Sequence, residues 1–126
     1  MSDSTRQILD CGIDLLQSGK AEDIQILDLR NAAEFTDYFL ICTGNSDVHV
    51  KAVADAVLEG MKAAGHRPWQ VEGYDSRKWI LIDFVDVIVH IFLSDTRSFY
   101  RLERLWGDVP TETVEENTDL VETNWS

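Results

Sequence analysis

The fold is decided by residues 78–93, KWILIDFVDVIVHIFL, in which aliphatic residues fill almost every second position. Side chains alternate between the two faces of a β-strand, so a two-residue turn at Phe84 and Val85 predicts a hairpin with two unlike faces. One face is entirely aliphatic and is predicted to be core. It carries Ile80, Ile82, Val87, Val89, Ile91 and Leu93.

The second face of the hairpin combines aromatic rings, an imidazole and two carboxylates. In this register Asp83 lies opposite Asp86, Trp79 lies opposite His90, and Phe92 continues the same face. Like charges directly opposite each other destabilise a sheet, and exposed aromatic patches usually mark interfaces. We therefore predict a partner-binding face that meets a cationic surface. The alternative is a second buried face covered by another helix.

The charge balance supports a basic partner. The chain has 23 acidic and 11 basic residues, for a net charge of −12. From Gly107 onward there are six acids and no lysine or arginine, and the preceding body is acidic as well. Binding to phosphate backbones depends on lysine and arginine, so little direct nucleic-acid contact is expected. A basic protein partner fits this sign, although solubility alone also explains it.

The length indicates a single domain, and the low cysteine content indicates that its thiols are reduced. The chain has 126 residues, enough for a single core. No apolar run approaches the roughly 20 residues of a membrane span, and residues 1–6 do not resemble a signal peptide. Cys11 and Cys42 are too few for a metal cluster. A cytoplasmic protein without membrane association is predicted.

Hydrophobic periodicity, together with residues that cap or end helices, predicts the order α β β α β β β α. The second helix is capped by Ser46 or Asn45 and ended by Gly65, and the last helix has Phe99, Leu102, Leu105 and Trp106 on its apolar side. The order predicts one α/β domain, a mixed β-sheet with flanking helices, over residues 1–107. Residues 108–126 are expected to form an acidic, disordered tail. The predicted segments before the hairpin are 4–18, 24–29, 37–43, 47–64 and 69–71.

One succession of elements is similar to that of nucleotidyltransferases. A strand leads through the turn Gly44-Asn45-Ser46 into a helix, and acidic residues follow on later strands. Those enzymes hold two metal ions with closely spaced carboxylates. Here a turn separates Asp83 from Asp86, and His90 lies roughly 10 Å away by the strand rise, too far for one ion. Turn and cap chemistry explains residues 44–46. We therefore predict no catalysis, no metal and no cofactor.

Two further sets of residues have weaker functional interpretations. Cys42 lies in the most apolar strand, where burial raises a thiol pKa rather than activating it. Arg97, Arg101 and Arg104 share a helical face and could contact RNA. Such a row is more often solvated or paired with acids.

Three ordered motifs carry a family resemblance. They are TDYFLICTGNS at 36–46, the hairpin from Trp79 to Phe92, and RSFYRLERLW at 97–106. Over roughly residues 4–107 the chain resembles the RsfS, or Iojap, family. The resemblance implies a nucleotidyltransferase-like fold without that activity. It also implies binding to the large ribosomal subunit through the basic ribosomal protein L-fourteen. Translation would be repressed because the small subunit cannot join, and organellar members aid large-subunit assembly.

The same resemblance implies which residues contact the partner. It points to Trp79, Asp83, Asp86, His90 and Phe92, with Asp37, Tyr38 and Tyr74 as weaker additions.

The chain departs from the family pattern at Val85, where glycine is frequent. Because a primed turn needs φ > 0, the turn could be wider and the register could shift by one. An exposed aromatic face could also form a homodimer in the free protein. The remaining alternatives are a metal-dependent nucleotidyltransferase-like enzyme with altered ligands, and a generic acidic adaptor for a basic protein.

Overall fold

The computed structural model describes residues 3–115 and confirms a single α/β domain with a mixed sheet. The first eight elements follow the predicted order. In chain order the elements are α1 (Asp3–Ser18), β1 (Glu22–Asp28), β2 (Tyr38–Gly44), α2 (Asp47–Ala63), β3 (Gln70–Glu72), β4 (Trp79–Asp83), β5 (Val87–Leu93), α3 (Ser94–Tyr100), α4 (Leu102–Leu105) and β6 (Thr111–Thr113). None of the helices in residues 3–115 is long and apolar enough to cross a bilayer.

The six strands lie in the order β3-β4-β5-β2-β1-β6. The central pair β2 and β5 is parallel, and every other neighbouring pair is antiparallel. Strand β2 is buried along its whole length, which is the environment predicted for its continuous apolar run. Both edge strands have only three residues, which limits the unpaired backbone at the sheet edges.

Helices α1 and α2 cover one side of the sheet and form the main core. Leu9 and Leu16 of α1 and Val53 and Val57 of α2 are almost inaccessible to solvent. They belong to one apolar cluster with the aliphatic face of the hairpin, so the prediction that this face is core is confirmed. The hairpin contributes Ile80, Ile82, Val87, Val89 and Ile91, together with Leu93 at the margin of the cluster.

The predicted hairpin register is wrong by two residues. In the structure Trp79 pairs with Phe92, and Asp83 pairs with Ile88. The turn lies one residue later than predicted, because the Phe84 N–H donates to the Val87 carbonyl at 2.9 Å and so encloses Val85 and Asp86. An even shift leaves each side chain on its original face, so the division into two faces survives.

Val85 adopts a left-handed backbone conformation in this turn, with φ of 73°. A β-branched residue resists this region of backbone space. The Asp83 carboxylate stabilises the conformation by accepting a hydrogen bond from the Val85 N–H at 2.7 Å. The turn therefore uses Asp83 where a glycine would need no such support.

The second side of the sheet is also covered, by the segment 102–109. Leu102, Trp106 and Val109 pack over a cluster that includes Phe39 and Phe92. Phe92 is fully buried within this cluster, and the Trp79 ring stacks on it. The expectation that Phe92 is exposed is therefore wrong.

The C-terminal part differs from the prediction in two ways. The expected last helix breaks at Arg101, whose φ of 49° and ψ of 59° separate α3 from α4. The expected disorder from residue 108 is wrong as far as residue 115, since β6 pairs with β1 and the Val114 N–H donates to the Ile24 carbonyl at 2.8 Å. The rest of the predicted tail, residues 116–126, lies outside the described residues.

Candidate partner-binding face

The hairpin face consists of Trp79, Leu81, Asp83, Ile88, His90 and Phe92 on the sheet side opposite α1 and α2. Its three β4 members, Trp79, Leu81 and Asp83, are half-buried, whereas its β5 members are buried. The Trp79 and Phe92 rings stack, with centroids 4.8 Å apart and planes at 29°. Phe92 therefore fixes the Trp79 ring from below, and only Trp79 of this pair reaches the surface.

His90 positions the same tryptophan. The Trp79 indole N–H donates to His90 Nδ1 at 3.0 Å, and the Phe39 ring meets the imidazole edge-on at a centroid distance of 4.4 Å. Only 3% of His90 is exposed, and burial lowers the His90 pKa to about 3. The imidazole is therefore neutral at physiological pH, with Nδ1 as acceptor and the proton on Nε2. Nε2 has no hydrogen-bond partner among the described residues.

Asp83 and Asp86 do not form the predicted side-by-side pair. Because the turn lies one residue later, Asp83 lies across from Ile88, and the Asp86 carboxylate accepts a hydrogen bond from Thr5 Oγ1 of α1 at 3.1 Å. Within residues 3–115 neither carboxylate forms an ion pair. Asp83 thus ends the strand that Trp79 begins, without a cation of residues 3–115 paired to it, and Asp86 joins the turn to α1.

Two of the three weaker candidates, Tyr38 and Tyr74, pack on the α1 and α2 side of the sheet, whereas Asp37 is hydrogen-bonded to the hairpin turn. Tyr38 is 5% exposed and belongs to the core beneath α1 and α2. The Tyr74 hydroxyl donates to Asp55 of α2 at 2.6 Å. The Asp37 N–H donates to the Asp86 carbonyl at 2.9 Å. These contacts give all three residues a structural role.

Two exposed apolar residues near Asp83 were missed in the sequence. Trp69 is 69% exposed and Val85 is 53% exposed. The Trp69 N–H donates to the Asp83 carbonyl at 2.7 Å, which places Trp69 beside the end of β4. Such exposure is unusual for a tryptophan. We call Trp69, Trp79, Asp83 and Val85 the hairpin rim. The sequence feature that could have identified Trp69 is its position between Pro68 and the polar Gln70.

The turn at residues 44–46 is explained by helix capping. Ser46 Oγ accepts from the His49 N–H at 3.1 Å, and the Asn45 N–H donates to His49 Nδ1 at 3.0 Å. In the part of the chain from Asp3 to Glu115 no three His, Cys, Asp or Glu residues form a group that could hold a metal ion. Burial raises the Cys42 pKa to about 12, as predicted for that strand.

The architecture defines the class of protein: an α/β domain with a mixed six-stranded sheet and an exposed aromatic and acidic rim. The family model described as "Ribosomal silencing factor during starvation", RsfS, matches residues 2–125. The chain belongs to the RsfS family, which confirms the resemblance found in the sequence. The match extends beyond residue 107 and includes β6.

Individual relatives agree with this assignment. The chain is 38% identical over 112 residues to the ribosomal silencing factor RsfS of Halalkalibacterium halodurans, covering 89% of this chain and 96% of that protein. It is 33% identical over 101 residues to the mouse protein named mitochondrial assembly of ribosomal large subunit protein 1, covering 78% of this chain and 44% of the mouse protein. A crystal structure of a Chromobacterium violaceum protein is similar with a TM-score of 0.80 at 32% identity, covering 93% of this chain and 97% of that chain.

Proposed function

We propose that this protein represses translation by binding the large ribosomal subunit through the basic ribosomal protein L-fourteen, so that the small subunit cannot join. The family match along residues 2–125 is the observation that carries this proposal. The name of the mouse relative supports the large subunit as partner and a second role in its assembly. We propose a non-enzymatic, cytoplasmic factor, because its action depends on occupying a surface.

The hairpin rim is the proposed docking surface. Trp79 is held rigidly by Phe92 and His90, so little side-chain entropy is lost when a partner packs against it. Trp69 and Val85 add exposed apolar area at the turn end of the hairpin, whereas Trp79 lies at the other end of β4. Buried tryptophans commonly dominate binding free energy at interfaces. The rim thus supplies apolar anchors on a preorganised support.

Asp83 supplies the charge that selects a basic partner. One of its oxygens accepts from the Val85 N–H, which fixes the carboxylate without neutralising it. Arginine or lysine on the partner can then form a charge-assisted hydrogen bond with the carboxylate. The net charge of −12 additionally accelerates encounter with a basic surface.

In this proposal the other hairpin residues implied by the resemblance do not contact the partner but support the residues that do. His90 and Phe92 are buried and hold Trp79, and Asp86 joins the hairpin turn to α1. In this proposal their substitution weakens binding by releasing Trp79 or the turn. Substitution of Asp83 or Trp69 removes a direct contact.

The test compares two charge reversals in sucrose-gradient co-sedimentation with purified large subunits. Asp83→Lys is expected to weaken binding at least tenfold, because it removes one charge-assisted contact and adds repulsion. Glu59→Lys is the matched control, since Glu59 is exposed on α2 at the opposite side of the sheet. Equal binding by both variants contradicts the assigned surface. Failure of the unaltered protein to co-sediment contradicts the function itself.

Obstruction of subunit joining is tested separately by adding small subunits to large subunits with and without the protein. The unaltered protein and Glu59→Lys are expected to deplete the joined particle, and Asp83→Lys is expected to leave it intact. Joined particles that retain the bound protein would contradict a steric mechanism.

A further inference from the structure

A polar cleft lies at the end of the sheet where β2 leads into α2. Its volume is about 430 Å³, within the range of small-ligand sites. The arginine cleft, as we name it, is lined by Arg97, Arg101, Arg104, Thr43, Gln25 and Asp23, together with serines and a further threonine. Every described lining residue is polar or charged.

The cleft opens on the same sheet surface as the hairpin face. Thr43 follows Phe39 and Ile41 on β2 at two-residue spacing, so all three side chains lie on one face. Gln25 of β1 pairs with Thr113 of β6, and both line the cleft. The cleft is therefore on β1, β2 and β6, and the hairpin rim is at the other end of the strand order.

Arg97 forms the floor of the cleft. Its guanidinium donates to the Asp23 carbonyl at 2.6 Å, to Thr43 Oγ1 at 2.8 Å and to Gln25 Oε1 at 3.2 Å. All three acceptors are uncharged oxygens. These bonds fix the orientation of the guanidinium without a carboxylate among them.

Arg101 and Arg104 line the same cleft as Arg97. In a protein with a net charge of −12, neither forms an ion pair with any residue from Asp3 to Glu115. The Arg101 Nε–H donates to the Ser98 carbonyl at 2.9 Å, which leaves both terminal nitrogens for other acceptors. Two cationic side chains thus line one cleft in which Asp23 is the single acidic residue among the described lining residues.

The backbone at Arg101 adds a second indication. Its φ of 49° is left-handed, a conformation that glycine or asparagine adopts more easily. The backbone conformation between α3 and α4 therefore does not explain why residue 101 is arginine. Arg101 instead lines the cleft together with Arg97 and Arg104.

Guanidinium groups match phosphate oxygens because two parallel N–H donors meet two acceptors. The serine and threonine hydroxyls of the lining can donate to the same oxygens. Among the side chains that the structure describes, no aromatic residue lines the cleft, so none of these stacks on a nucleobase. We infer that the arginine cleft binds the phosphate groups of an anionic ligand, at a site separate from the hairpin rim.

The experiment measures binding of pyrophosphate, ATP and a short single-stranded RNA to the full chain by isothermal titration calorimetry, without ribosomes. The expected result is binding of at least one of these phosphate ligands. The variant carrying Arg101→Asn and Arg104→Gln is expected to bind at least tenfold more weakly. Asparagine is used at residue 101 because it tolerates the left-handed backbone.

The matched control carries Lys62→Gln and Arg67→Gln, which remove the same charge from exposed positions at the end of α2 and the loop after it. It is expected to bind as the unaltered protein does. Stronger binding of pyrophosphate and ATP identifies a small-molecule ligand, and stronger binding of RNA identifies a backbone phosphate. Both results support a phosphate site. Absence of binding to all three, or equal weakening in both double variants, overturns the inference without bearing on ribosome binding.

Discussion

The buried imidazole of His90 makes the stability of the protein depend on pH above the range in which carboxylates titrate. The His90 pKa is about 3 in the folded protein because the ring is buried, and it is about 6.5 in an unfolded chain. Above pH 6.5 His90 is neutral in both states and has no effect. Below pH 6.5 only the unfolded chain binds the proton, so the free energy of unfolding decreases.

The size of the effect follows from the two pKa values. The full gap corresponds to on the order of 5 kcal/mol, reached near pH 3. Between pH 7 and pH 5 the expected loss is about 2 kcal/mol. This window separates His90 from the acids. Hydrogen bonds from Arg30 and Lys51 lower the pKa values of Asp28 and Asp55, whose contributions to stability are lost only below about pH 5.

Urea unfolding at closely spaced pH values measures this loss directly. His90→Leu is expected to abolish most of the decrease between pH 7 and pH 5, because no buried proton acceptor remains. At pH 7 its stability should stay within about 1 kcal/mol of the unaltered protein, since it also removes the unpartnered Nε2–H. His66→Gln, in the loop after α2, is the control and should retain the pH dependence.

Two outcomes would refute this reasoning. The first is an unaltered protein whose free energy of unfolding is constant between pH 7 and pH 5. The second is a His90→Leu variant that loses stability over this window as steeply as His66→Gln. Either result would mean that the imidazole is protonated, or accessible to water, in the folded state.

Three further predictions concern strained or buried positions. Val85→Gly is expected to raise the free energy of unfolding by about 1 kcal/mol in urea denaturation, because Val85 has φ of 73°; a lower midpoint would contradict this. Gly73→Ala is expected to cost more than about 2 kcal/mol, because an added Cβ would lie 2.0 Å from the Trp79 carbonyl oxygen at a residue with φ of 76°. Gly65→Ala, where φ is also positive but nothing lies within 4 Å, should cost only about 1 kcal/mol, and similar losses for both glycines would argue against the steric explanation. Cys42, with its pKa raised to about 12 by burial, should resist iodoacetamide at pH 8 until urea is added, as followed by mass spectrometry; rapid labelling of the folded protein would be inconsistent with its burial.

The proposed roles of Trp79 and Asp83 explain how an acidic domain can present an apolar anchor. Trp79 is half-buried, and its indole is held by a hydrogen bond to His90 and by stacking on Phe92. Asp83 is held by the backbone of the turn rather than by a cation of the same domain. A partner therefore meets side chains whose positions are already fixed, which reduces the entropy lost on binding.

The sequence determined the order of the first eight elements and which side of the hairpin is core. The alternation of aliphatic residues from Ile80 to Leu93 is sufficient for this, because strand geometry has a period of two residues. Any even register shift preserves that assignment, which is why it survived an error of two residues. The motifs around residues 36–46, 79–92 and 97–106 likewise identified the family.

The register itself depended on the turn. Val85 accepts a positive φ because Asp83 caps its N–H, and this compensation is not visible in residue propensities. The predicted pairing of Asp83 with Asp86 was lost for this reason. Asp86 instead contacts Thr5, which is 81 residues away in the sequence.

Only the tertiary structure decided which members of the hairpin face are exposed. Leu102, Trp106 and Val109 pack over the cluster that contains Phe92, and the β1–β6 pairing joins residues 111–113 to the sheet. These contacts are made between segments far apart in the chain, so local periodicity does not encode them. Three arginines at helical spacing were visible in the sequence, but their convergence with Thr43 and Gln25 in one cleft arises from the packing of α3 and α4 against the strand ends.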